Sequence, residues 1–174
     1  MGLFKKFLDS NYKGEFKNGK RDGEGTYTDP ISGSIYIGGW AGGKKNGFGK
    51  LTYPGVGLTF EGWWEEDIFY RGKEVSWLGD TRIEREGYFE EIEDNMVLSG
   101  PGEEEVESTS NAHVAGRWVN KYVGEFKKGE KNGYGSEISY VRNPIRYDRG
   151  KKINEAQNSL NHGSTYVGEW KDNE

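Results

Sequence analysis

The 174-residue chain has no cysteine, which excludes disulfides and thiolate metal sites alike. No stretch approaches the roughly twenty consecutive apolar residues of a membrane-spanning helix. The start, Met1–Leu8, has neither the apolar length nor the small-residue cleavage site of a secretory leader. Gly2 makes no myristoylation signal either, because Lys6, followed by Phe7, stands where Ser or Thr is needed. These absences lead to the expectation of a soluble, cytoplasmic protein, with a peripheral membrane position left open. Histidine is almost missing as well. His113 and His162 are far apart, form no metal-ligand spacing, and each falls near an expected loop. Aliphatic residues are few, since the whole apolar class is only 32% of the chain. That argues against a compact aliphatic core.

What is abundant is glycine, at 28 residues, together with 11 Tyr, 8 Phe and 6 Trp. This composition suits a thin sheet whose flat rings cover bare glycine backbone. The high charge does not imply disorder, because disordered chains lack aromatics. Charge is unevenly spread. Residues 1–50 carry 9 basic and 5 acidic side chains, residues 51–110 carry 4 and 16, and residues 111–174 carry 11 and 8. An acidic middle between mildly basic ends breaks the continuous basic track that nucleic acid requires, so no nucleic-acid partner is expected.

One phrase recurs: aromatic, any residue, Gly, any residue, aromatic, then three more glycines at fixed offsets. Tyr12-Lys13-Gly14-Glu15-Phe16 leads to Gly19, Gly23 and Gly25. Tyr36-Ile37-Gly38-Gly39-Trp40 leads to Gly43, Gly47 and Gly49, and Tyr122-Val123-Gly124-Glu125-Phe126 leads to Gly129, Gly133 and Gly135. Within each phrase the two aromatics and the first glycine share one strand face, and the later glycines repeat that alternation after a polar break. Each unit is therefore predicted to be a β-hairpin with a lysine-bearing tip. In the second unit Ala41-Gly-Gly-Lys-Lys-Asn46 has a turn composition, with Asn46-Gly47 as a positive-φ signal. Glycine weakens a strand unless something needs the space. The predicted reason is a ring from the next strand or hairpin lying flat on the backbone.

Weaker copies occur at Phe60-Glu-Gly62-Trp63-Trp64, Arg85-Glu-Gly87-Tyr88-Phe89, Val114-Ala-Gly116-Arg-Trp118 and Tyr166-Val-Gly168-Glu-Trp170. In the first of these, Glu65-Glu66-Asp67 replaces the basic tip. In the second, the late Gly100-Pro-Gly102 pair predicts a longer tip around Glu90–Leu98. Residues 1–11 read as a cap or anchor, 12–174 as the repeat array, 103–111 as an acidic connector, and 136–165 as an insert with a short helix or a loop. Leu3, Phe4, Phe7 and Leu8 would share one face of a short N-terminal helix beside Lys5 and Lys6. Such a helix could cap the end of the sheet or lie at a membrane interface. The last copy stops after one strand, whose open edge could pair with another subunit.

The phrase Y-x-G-x-[WF]-x-x-G-x-x-x-G-x-G resembles the MORN repeat (membrane occupation and recognition nexus). The match is specific at residues 12–27, 36–53 and 122–140 and partial at the weaker copies. The resemblance implies an all-β fold: an elongated, twisted antiparallel sheet of stacked hairpins. It also implies a binding role, through an aromatic groove or at anionic membranes.

Catalytic and cofactor motifs fail on inspection. Gly43-Lys-Lys-Asn-Gly-Phe-Gly49-Lys50 is one residue too long for a phosphate loop, and Leu51 stands where Ser or Thr must hold the metal. The glycine pairs lack the third glycine of a dinucleotide fingerprint. No Gly-x-Ser-x-Gly elbow is present, and Glu90-Glu91 and Glu103-Glu104-Glu105 read as solvated loop charges. Neither an enzyme, a cofactor nor a metal is expected. The expected function is a non-enzymatic scaffold or adaptor that binds a partner protein. Its groove would be lined by Tyr12, Phe16, Tyr36, Trp40, Phe60, Trp64, Phe89, Tyr122, Phe126, Tyr166 and Trp170. The alternative is a module for anionic phospholipids. It would use Phe4, Lys5, Lys6 and Phe7 with Lys17, Lys20, Arg21, Lys44, Lys45, Lys127, Lys128 and Lys131 at the tips.

Overall fold

A computed structural model of the chain describes residues 11–93, 95–108, 117–142, 147–148, 151–152 and 165–171. Every regular element among them is a strand. The hairpins are β1 (Tyr12–Lys17) with β2 (Lys20–Thr28), β3 (Ile35–Ala41) with β4 (Lys44–Tyr53), and β5 (Leu58–Glu65) with β6 (Ile68–Leu78). They are followed by β7 (Thr81–Ile92), β8 (Asn95–Ser108), β9 (Arg117–Lys127) and β10 (Glu130–Arg142). Two short strands, β11 (Tyr147–Asp148) and β12 (Lys151–Lys152), pair with each other, and β13 (Thr165–Trp170) closes the series. The main sheet has 11 antiparallel strands, ordered as in the chain from β1 to β10, with β13 beside β10. The expected stacking of hairpins into one antiparallel sheet is therefore what the chain forms.

The hairpins turn on two residues that both have positive φ: Asn18-Gly19, Gly42-Gly43, Glu66-Asp67 and Lys128-Gly129. Such pairs match the twist of the flanking strands, and glycine or a short polar residue tolerates them best. The second turn is thus Gly42-Gly43, within the stretch 41–46 expected to turn, whereas Asn46-Gly47 belongs to β4. Gly47, at φ +86°, lies in a bulge, where the register slips between Gly38↔Gly49 and Trp40↔Lys45. A bulge re-aims the side chains beyond it, and the site below depends on this.

Contacts divide the chain into two compact units. The first comprises the residues up to Ser76 together with Tyr88–Val97. Its core is one stack of rings on one sheet face: Tyr12, Tyr36, Trp40, Phe60, Trp64, Phe69 and Phe89 are all buried. The second comprises Trp77–Gly87 and the chain from Leu98 onward, around buried Leu98, Val119, Tyr122, Phe126, Tyr140 and Val141.

Several boundaries differ from expectation. Glu103–Ser108, expected in a connector, continues β8 and pairs with β9 from Glu103↔Val123 to Ser108↔Trp118. Acidic residues are tolerated there because Lys121 pairs with Glu103, and Arg117 lies 3.7 Å from the buried Glu107. The late glycines of the fourth unit reflect longer strands, not a longer tip, since β7 ends at Ile92 and β8 begins at Asn95. Ser136–Arg142, expected in the insert, belongs to β10 and pairs with β9, while Ser136–Ile138 also pairs with β13. The expected N-terminal helix, the rest of the connector and most of the insert lie outside the described residues.

Candidate functional site

Each well-formed unit is built on one tyrosine. Tyr36 runs along its own strand and donates its hydroxyl to the carbonyl of Gly39 at 3.1 Å. Tyr12, Tyr122 and Tyr166 repeat the bond to Glu15, Glu125 and Glu169 at 3.0, 3.2 and 3.2 Å. The ring lies on the glycine pair of its own hairpin. A Cβ at Gly49 would sit 2.2 Å from the Tyr36 hydroxyl, and one at Gly135 would sit 2.3 Å from that of Tyr122. The glycines are ring seats, as expected, and of the two expected sources, an adjoining strand or the next hairpin, the ring comes from the adjoining strand of the same hairpin. Consecutive units then interlock edge to face. Trp40 meets Tyr12 at 5.4 Å and Tyr36 at 5.2 Å, and Trp64 meets Tyr36 at 5.5 Å. The indole nitrogens of Trp40 and Trp64 donate to the carbonyls of Gly25 and Gly49, at 3.2 and 3.1 Å. In the second unit Phe126, Tyr122, Trp170 and Tyr166 form the same series.

This arrangement decides where the expected groove residues lie. Tyr12, Tyr36, Trp40, Phe60, Trp64, Phe89, Tyr122 and Phe126 are buried in the stacks. Phe16 and Tyr166 are about half exposed, at 51% and 49%, and Trp170 is half-buried. The rings therefore form a floor more than a lining.

The bulges bring a cation onto that floor. The residue paired with the second aromatic of each good unit shares its face: Phe16↔Arg21, Trp40↔Lys45 and Phe126↔Lys131. The Arg21 guanidinium lies 4.1 Å from the Tyr27 ring and 4.8 Å from that of Trp40. Lys45 Nζ is 4.9 Å from Trp64, and Lys131 Nζ is 4.8 Å from Trp170. These are cation–π distances. Three of the tip cations thus fold back over rings instead of projecting. In the third hairpin the equivalent pair is Trp64↔Phe69, so an apolar ring replaces the cation. The acidic tip of that hairpin clasps the preceding one. Glu66 pairs with Lys44 at 2.6 Å, and Asp67 Oδ1 accepts the Lys45 backbone N–H at 2.8 Å. Lys17, Lys20, Lys127 and Lys128 are exposed, and Phe4, Lys5, Lys6 and Phe7 lie outside the described residues.

Above the Tyr36–Trp40 floor opens a cleft of about 530 Å³, lined also by Arg21, Tyr27, Asp29, Ser32, Ser34, Lys45, Leu51, Tyr53 and Asp67. At one end, Asp29 accepts the backbone N–H groups of Ile31 and Ser32 at 3.0 and 2.8 Å, which hold its carboxyl below the usual range. At the other, burial pushes the Lys45 ammonium below its ordinary pKa, against the opposing pull of Asp67. Burial raises the Tyr36 phenol well above its usual value. Glu66, by hydrogen bonding and charge, holds Lys44 above its own. The cleft can therefore offer two cations and two carboxylates over a floor of buried rings, an inventory for recognition. Among the described residues no cluster of His, Asp and Glu could hold a metal ion.

The opposite sheet face of the first unit carries rings that sequence reasoning missed. Phe48 and Trp63 meet edge to face at 5.7 Å, and the Arg71 guanidinium lies 5.2 Å from the Tyr88 ring. Phe48, Trp63 and Tyr88 are 53%, 47% and 44% exposed. Strict alternation was the signal available: Trp63 beside Trp64 must point the other way.

Four segments match the family model of the MORN repeat: residues 12–34, 36–55, 122–140 and 166–174. They contain the tyrosine seats just described, and the strands from β5 to β8 fall outside them. No curated protein matches the chain. Among the described residues no helix is long and apolar enough to cross a membrane.

Proposed function

We propose that this MORN-repeat protein is a non-enzymatic adaptor that binds a partner polypeptide on the aromatic face of its sheet, in the cleft over Tyr36 and Trp40. MORN repeats are generally protein- or membrane-binding modules and not enzymes. The observation that carries the protein reading is the cleft itself: concave, ring-floored and rimmed by convergent polar groups, the usual makeup of a recognition pocket. The phospholipid reading loses support from the same geometry. Arg21, Lys45 and Lys131 lie on rings, and Lys44 is paired with Glu66.

The test must spare the floor, because removing buried Trp40 or Trp64 costs about 3–5 kcal/mol and would confound loss of binding with loss of stability. Ser32→Trp instead fills the cleft mouth from an exposed position. It is expected to abolish capture of a partner by the full chain. Because it also removes the Ser32 hydroxyl's bonds to Asp29 and Ser34, the melting temperature should fall by a few degrees while the far-UV circular dichroism stays that of the folded sheet. Undiminished capture would count against the reading. So would flotation of the full chain with vesicles of anionic phospholipid that survives physiological salt.

A further inference from the structure

The three cations over the ring stacks are not equally answered. In each good hairpin the repeat tyrosine pairs across the strands with one residue: Tyr12↔Tyr27, Tyr36↔Leu51 and Tyr122↔Glu137. Glu137 therefore stands beside Lys131 and hydrogen-bonds its ammonium. Leu51, in the same place, can give Lys45 nothing. The nearest carboxylate oxygen to Lys45 Nζ is Asp67 Oδ1 at 3.8 Å, which is beyond hydrogen-bond reach. That oxygen is already bonded to the Lys45 backbone N–H at 2.8 Å. The Lys45 side chain is only 22% exposed. An ammonium so placed is stabilised by any further acceptor that enters the cleft.

We propose that the cleft receives an acidic side chain of the partner polypeptide, its carboxylate bound by Lys45. This rests on the adaptor reading above and names the chemistry of the partner. A carboxylate fits better than a phosphate because Asp29 and Asp67 line the same cleft. Both carboxylates repel any anion that enters, and a phosphoryl group of about −1.5 to −2 is repelled up to about twice as strongly as a single carboxylate.

The experiment pans phage-displayed random peptides against the full chain. The most enriched peptide is then titrated, by fluorescence anisotropy, against wild type and four variants: Lys45→Met, Lys45→Arg, Leu51→Glu and Ser32→Trp. Enriched sequences are expected to carry Asp or Glu. Lys45→Met, or Glu→Gln in the peptide, is expected to weaken binding about tenfold or more, and the two together little more than either alone. Lys45→Arg should hold affinity within about threefold, since an arginine already occupies the equivalent place in the first hairpin. Leu51→Glu copies the carboxylate of the second unit and should occupy Lys45 from within, weakening the peptide as Lys45→Met does. It keeps the test decisive if Lys45→Met fails to fold. Peptides blocked by Ser32→Trp yet lacking acidic residues, or indifferent to both Lys45→Met and Leu51→Glu, overturn the carboxylate and leave the adaptor reading standing. So does tighter binding of a phosphoserine version. Enrichment of no peptide overturns both.

Discussion

Gly49→Ala is the sharpest probe of the fold, because it adds one methyl group where the tyrosine seat allows none. The new Cβ would lie 2.2, 2.5 and 2.7 Å from the hydroxyl, Cζ and Cε2 of Tyr36. Tyr36 cannot yield toward solvent, being 1% exposed and held edge to face by Trp40 and Trp64. Overpacking of this kind costs about 1–3 kcal/mol. Displacing the ring also breaks its hydroxyl bond to Gly39, a further 0.5–1.5 kcal/mol or so. The expected loss is about 2–4 kcal/mol, or roughly 5–15 °C in the melting temperature for a chain of this size. Two controls separate the causes. At Gly55 a Cβ meets nothing within 4 Å, so Gly55→Ala is expected to be neutral or slightly stabilising. Gly42 also has open space but φ +61°, so Gly42→Ala should cost only about 1–2 kcal/mol through the backbone. Urea denaturation followed by far-UV circular dichroism and tryptophan fluorescence ranks the three. If Gly49→Ala unfolds with Gly55→Ala, the glycines are not ring seats.

Trp64→Ala removes a buried ring and should cost about 3–5 kcal/mol, whereas Trp63→Ser, on the half-exposed neighbour, should cost less than about 1.5 kcal/mol. The same denaturation assay decides it, and equal losses would contradict the two-face assignment. The raised pKa of Tyr36 gives alkaline sensitivity. Its contribution is fully present below the ordinary phenol pKa of about 10 and is lost as pH rises toward the higher folded value, because the unfolded chain releases the proton first. Melts from pH 8 to 12 should therefore fall less steeply for Tyr36→Phe, which also loses about 1 kcal/mol at neutral pH with its hydrogen bond. Asp67→Asn keeps a residue tolerant of φ +76° but weakens the bond to Lys45, and should cost about 1 kcal/mol in thermal unfolding. No change would mean the acidic tip does not clasp the hairpin before it.

The spacing of Tyr36, Gly38 and Trp40 was enough to predict the hairpins, their antiparallel stacking and the use of glycine as a seat. Alternation and steric size act locally, and the tyrosine lies on the glycines of its own hairpin. The floor of the candidate site was legible to the same extent. Its cations were not. Lys45 reads as a tip lysine in one dimension, and a bulge at Gly47, whose positive φ in sequence reads as a turn signal, carries it onto the rings. Nor could Glu103–Ser108 be read as a strand, because six residues rich in carboxylate look like a solvated connector until partners across the sheet are known.

The amino-acid sequence by itself determined the repeat, the strand class and the ring-on-glycine packing, since all of these follow from contacts within one hairpin. Only the tertiary structure decided which rings are buried, which face keeps a cleft, and that Lys131 has a carboxylate beside it where Lys45 has Leu51. Those outcomes depend on register between strands and on what the next hairpin covers, and neither is written in the spacing of any single unit.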